Sequence, residues 1–207
     1  MMPKLSAEEL KRLLLANALD VLDLRSVSDF LAGFIPGSIN LPSDEENFTG
    51  NLRKIWPHPR EVVVLISGES MVPTDVLSFV QEIGGAVKGY ASFENWKRAE
   101  YHTLTLETIK IDKLLKNQSA FELVDVRTEE EWLKKHIHGS RNIPLSKLNV
   151  LAHELDTAKK YVVFCAGVYR GVAGAAKLRA KGFDVRYLPG GVSTWEEKGG
   201  TTEEVRS

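Results

Sequence analysis

The chain contains one pattern twice. "LDLRSVSDFLAGFIPGSINLP" (residues 22–42) lies over "VDVRTEEEWLKKHIHGSRNIP" (residues 124–144) without a gap. Asp23 falls on Asp125, Arg25 on Arg127, Phe30 on Trp132, Gly37 on Gly139, Asn40 on Asn142 and Pro42 on Pro144. A displacement of about half of the 207 residues is far longer than the 20–50 residues of a solenoid unit, and it implies two copies of one domain. Further along, "EVVVLISGES" (61–70) resembles "KYVVFCAGVY" (160–169), and Trp96 matches Trp195. The boundary is expected within "KRAEYHTLTLE" (97–107), giving domains over 1–102 and 103–207. A connector this short, without a Pro, Gly or Ser tract, is expected to let the halves pack together.

Each half alternates β-rich runs with helical segments. In the second half, 109–111, 121–126, 161–164 and 184–188 read as strands, and 129–136, 171–182 and 192–199 as helices, with Gly182 suited to a C-cap. Alternation of this kind predicts an α/β protein of two small domains, each a parallel sheet with helices on both faces.

The balance of 27 basic and 28 acidic residues, net charge -1, leaves no field that would draw the chain onto nucleic acid or anionic lipid. No run approaches the roughly 18 apolar residues of a membrane span. The start "MMPKLSAEELKRLLLANALD" is charged every few residues, unlike a signal peptide, so a cytoplasmic location is expected. No clustered His and Asp motif suggests a metal, and no cofactor is expected; His136 and His138 read as turn-forming residues.

One cysteine cannot form an internal disulfide. That residue, Cys165, closes the 161–164 strand just before a helix, where sites form in open parallel sheets. Inward-turned backbone amides of Ala166, Gly167, Val168, Tyr169, Arg170 and Gly171 would make an anion cradle. The helix N-terminus and Arg170 are expected to lower the thiol pKa from about 8.5, and Arg170 could also grip an anionic substrate. A free cysteine is also among the most often buried residues; the loop, the arginine and the helix together favour a nucleophile. Asp125 and Arg127 read as a buried ion pair supporting the site, and Trp96, Trp132 and Trp195 as core anchors.

Three motifs in order, "VDVRTEEEWLKKHIHGSRNIP", "CAGVYRG" and "LPGGVSTWEEKG", resemble the rhodanese family of sulfurtransferases in a tandem arrangement. The resemblance implies that Cys165 accepts a sulfane sulfur from thiosulfate or a low-molecular-weight persulfide. The sulfur then passes to a thiol or cyanide acceptor, and a protein can serve as donor or acceptor. Thiol phosphatases carry a similar loop with five residues between cysteine and arginine; here four intervene. Arg170 is the loop's single charge, which leans toward a thiol persulfide over thiosulfate as donor. The first half departs from the pattern. Ile66, or Ser67 after a shift of one, stands at the cysteine position, and Met71 or Val72 at the arginine position. Glu69 and Pro73 would spoil an anion cradle, the first by its charge and the second by lacking an N–H. The expectation is a noncatalytic first domain before a catalytic second. The alternatives are a sulfur-relay module serving a partner protein and, further off, a thiol phosphatase or arsenate reductase.

Overall fold

A strand covered on both faces needs an unbroken apolar run, and "EVVVLI" and "KYVVF" provide one in each half, every residue after the first being buried. In the computed structural model, which describes residues 2–56, 61–68 and 72–205, these are inner strands of two parallel sheets. The chain divides into two compact units, Met1–Thr105 and Leu106–Ser207.

The first unit runs α1 (Ala7–Leu15), β1 (Asp20–Asp23), α2 (Val27–Ala32), β2 (Ile39–Asn40), α3 (Phe48–Ile55), β3 (Glu61–Ile66), α4 (Thr74–Glu82), β4 (Ala86–Ser92) and α5 (Phe93–Arg98). Its sheet order is β2-β1-β3-β4. The second runs β5 (Glu107–Thr108), α6 (Ile111–Lys116), β6 (Glu122–Asp125), α7 (Glu129–Lys134), β7 (His136–Ile137), β8 (Arg141–Asn142), α8 (Leu148–Leu151), β9 (Lys160–Phe164), α9 (Tyr169–Ala180), β10 (Asp184–Tyr187), α10 (Gly191–Glu197) and β11 (Thr202–Glu203). Its main sheet is β5-β10-β9-β6-β8, and β11 pairs antiparallel with β7. The expected α/β architecture, parallel sheets flanked by helices, is the one present.

The repeat extends to register. Asp23 pairs with Leu65 and Asn40, and Asp125 pairs with Phe164 and Asn142. The residue after Leu65 is therefore the counterpart of the residue after Phe164, which sets Ile66, not Ser67, opposite Cys165. A side-chain clamp is duplicated as well. Arg127 Nε lies 3.0 and 2.9 Å from the two Asp125 carboxylate oxygens, and its Nη2 donates to Lys135 O at 2.7 Å. Arg25 grips Asp23 and Gly33 O in the same way. Asn142 and Asn40 each donate to the carbonyls of their own Asp and Arg. Removing one partner of such a buried pair costs about 3–5 kcal/mol. The clamp is present in the half that has no cysteine, so it serves the fold.

Each unit has its own apolar core, including Leu10, Val63, Leu65 and Trp96 in the first and Leu114, Val162, Phe164 and Trp195 in the second. Fully burying each such side chain contributes about 1.5–3 kcal/mol. The two tryptophans also repeat a hydrogen bond, Trp96 Nε1 to His102 O and Trp195 Nε1 to Thr201 O, both 3.1 Å. Trp132 is not a core anchor: it is half-buried and stacks on the buried His136 with ring centroids 3.8 Å apart. The strand expected at 109–111 sits earlier, at Glu107–Thr108. Ile111 opens α6, and its spacing to Leu114 places both apolar side chains on the buried face of that helix.

The connection leaving β6 goes to β8 on one side, whereas the one leaving β9 goes to β10 on the other. The carboxyl ends of β6 and β9 thus border a topological switch point, where ligands enter open α/β sheets. Cys165 follows β9 at that point.

Candidate active site

The loop from β9 to α9 is short because the helix starts early. Val168 is the N-cap of α9, and Val172 N donating to Val168 O at 3.0 Å is its first full helical turn. Helix geometry leaves the N–H groups of residues 168–171 without partners inside the helix. The amide of Gly171 donates instead to Cys165 Sγ at 3.1 Å, and that of Gly167 does so at 3.3 Å. Ala166, Gly167 and Val168 are exposed and Tyr169 and Arg170 half-buried, while Cys165 itself is 1% exposed beneath them. Of the expected cradle, the amides of Gly167 and Gly171 are aimed at the sulfur.

Two glycines allow this approach. A Cβ on Gly171 would stand 2.7 Å from Tyr187 Cε2 and 3.4 Å from Cys165 Sγ. Gly191 has φ +57, and a Cβ there would overlap the carbonyl oxygen of Cys165. The "PGG" of the third motif is thus a close passage of the α10 N-terminus against the cysteine backbone.

The electrostatics correct the expectation of a lowered thiol pKa. Burial pushes the Cys165 thiol up, and the Gly167 and Gly171 amides and the Arg170 charge pull it down without cancelling that rise. The geometry also corrects the free gripping arginine. Arg170 makes a bidentate pair with Glu131, Nη1–Oε2 2.6 Å and Nη2–Oε1 2.8 Å. Its fork is occupied, and its charge faces a carboxylate held at a pKa of about 2 chiefly by that pair. Glu131 also accepts from Thr128 N and Oγ1, closing a capping box at the start of α7. Asp125 and Arg127 lie at the end of β6 beside the site, locked to one another.

Two residues near the sulfur have no counterpart in the sequence reading. Glu131 is 39 positions from Arg170; the Thr128-x-x-Glu131 spacing signals a capping box but no tie to the loop. Tyr187, at the end of β10, is buried, and burial followed by the charge of Cys165 raises its phenol far above the ordinary value. Nothing local in "DVRYL" signals this.

At the matching place in the first unit the same backbone amide has another partner. Gly68, counterpart of Gly167, donates to the Glu94 carboxylate, which also accepts from Ser92 Oγ at 3.0 Å. Burial raises the Glu94 pKa, but the Gly68, Glu94 and Ser92 donors and the Arg25 charge together hold it below the usual range. Pro73 is the N-cap of α4, which begins only at Thr74. Glu69 and Met71, named in the sequence at the cradle and the arginine position, lie outside the described residues.

The family model for the rhodanese-like domain matches twice, over residues 6–99 and 110–198. The chain belongs to the rhodanese-like family. Among relatives of these rhodanese-like units, the uncharacterized protein YqhL of Bacillus subtilis is 32% identical over 99 residues, 47% of this chain and 79% of YqhL. A rhodanese-related protein of Thermoplasma volcanium is 31% identical with a TM-score of 0.46, over 48% of this chain and 99% of that one. A thiosulfate sulfurtransferase of Pseudomonas aeruginosa is 18% identical with a TM-score of 0.43, over 100% of this chain and 44% of that one. Among the described residues there is no group of three or more His, Cys, Asp or Glu placed to hold a metal, and no helix long and apolar enough to cross a membrane.

Proposed function

We propose that the second rhodanese-like unit is a sulfurtransferase in which Cys165 carries the sulfur. The observation that carries this reading is the pair of backbone amides, from Gly167 and Gly171, directed at Sγ at the N-terminus of α9. Sulfur transfer calls for donors around an anionic sulfur and for no metal. Cys165 gives its proton to solvent and attacks the sulfane sulfur of the donor. The Sγ–S bond forms, the donor's S–S bond breaks, and the leaving thiolate or sulfite departs with the electron pair. An acceptor thiolate, or cyanide, then attacks the outer sulfur, and the Sγ–S electron pair returns to Cys165. Because Glu131 neutralises Arg170, and because the exposed loop residues are Ala166, Gly167 and Val168, a thiol persulfide suits the mouth better than dianionic thiosulfate. The reading takes the first unit as noncatalytic, with Ile66 at the cysteine position, and places the reaction in the reducing cytoplasm, where a single thiol stays free.

Incubation with glutathione persulfide or thiosulfate should add about 32 Da to the intact protein, and Cys165→Ser should abolish the adduct. Absence of the adduct with every donor ends this reading. Uptake without turnover to small acceptors, restored by a protein acceptor, selects the relay form of the same chemistry.

A further inference from the structure

Resting on the sulfur-transfer reading, we propose that Tyr187 is a positioning residue of the sulfur cradle: it restrains Gly167 and Gly171, the two loop residues after Cys165, so that their amides keep facing the sulfur. Tyr187 is the last residue of β10 and pairs with Val163 of β9, so its side chain emerges next to the strand that ends in Cys165. It is 2% exposed.

Both donor residues touch it. The ring edge fills the space where Gly171 would carry a Cβ, 2.7 Å from Cε2, on the side from which Sγ approaches to 3.4 Å. The hydroxyl lies 3.5 Å from Gly167 O, a longer approach than the roughly 2.5–3.0 Å of a full O–H···O hydrogen bond. That carbonyl lies across the Gly167 Cα from the Ala166–Gly167 peptide, which carries the N–H donating to Sγ. A hydroxyl engaging this carbonyl limits rotation at Gly167, a residue with no Cβ to restrict its own φ and ψ, and so restrains the N–H that faces the sulfur. The phenol stays protonated throughout the working range, because burial and then the Cys165 charge oppose its ionisation, and it therefore remains a donor.

The experiment uses the full chain and reads two properties. In Tyr187→Phe, which keeps the ring and removes the hydroxyl, the ultraviolet thiolate absorbance of Cys165 should titrate at higher pH than in the wild type. The expected shift is about half a unit or more. Each protein is read against its own Cys165→Ser baseline, and Arg170 and Asp125, the charged groups acting on the thiol, are unchanged in both. The rate constant for loading by glutathione persulfide should fall about tenfold, with little change in the donor concentration giving half-maximal rate. Tyr187→Leu, which also empties the space beside Gly171, should lose at least as much. Identical thiolate titration in Tyr187→Phe and wild type overturns the assignment whether or not sulfur loads. If the wild type takes up no sulfur, the sulfurtransferase reading fails by itself, while the titration still decides the role of Tyr187.

Discussion

One sulfur atom at the end of β9 is pulled two ways. Burial under residues 166–170 favours the neutral thiol, whereas two amides and the Arg170 charge favour the thiolate, and burial prevails. The resting residue is therefore a thiol, and sulfur loading should accelerate as pH rises toward its ionisation. Arg170→Gln tests the balance. It removes a charge that lowers the thiol pKa, and so pushes the pKa further up. The thiolate absorbance of that variant should appear at higher pH than in the wild type. An unchanged or lower midpoint would mean that the guanidinium does not act on the sulfur.

Between elements, Glu131 is the tie that joins the N-terminus of α7 to that of α9, since one carboxylate serves both the Thr128 capping box and Arg170. Its pKa falls from 4.5 to about 2 on folding. A carboxylate lowered in this way contributes stability that is fully present above 4.5 and is lost as pH drops through about 2. Glu131→Gln preserves the capping box but not the ion pair. Urea midpoints should therefore differ between wild type and Glu131→Gln at about pH 5 and converge toward about pH 2. A constant gap would show that the pair is not linked to folding. The strands and helices of this unit were legible because their periods differ, and "KYVVF" and "GVAGAAKLRAKG" could not exchange roles. The 109–111 strand was misplaced because Ile109 and Ile111 suit a strand edge and a helix start equally well. The ties of Arg170 to Glu131 and of Tyr187 to Gly167 were illegible for another reason. They depend on α7 and β10 arriving beside the loop, which no local pattern encodes.

Across the whole chain one fold was built twice, and the duplicated parts are those the fold requires: the Asp–Arg–Asn clamp, the strand register and the tryptophan anchor. Among the parts that differ is one strand end, where Ile66 closes β3 and Cys165 follows β9. The two units do not differ there by the cysteine alone. In the first unit the amide of Gly68 is already engaged by Glu94, and α4 begins behind Pro73, which has no N–H to offer. Placing a thiol there should therefore not create a site. Ile66→Cys in a Cys165→Ser background should remain without the adduct of about 32 Da under conditions that load the wild type. The carboxylate of Glu94 occupies the very donor that a persulfide would need, and two anions cannot share one amide without repulsion. Mass spectrometry of the intact variant reads the outcome directly. Loading at the introduced thiol would show that a cysteine after the strand suffices, and that the amides around Cys165 do not set the chemistry.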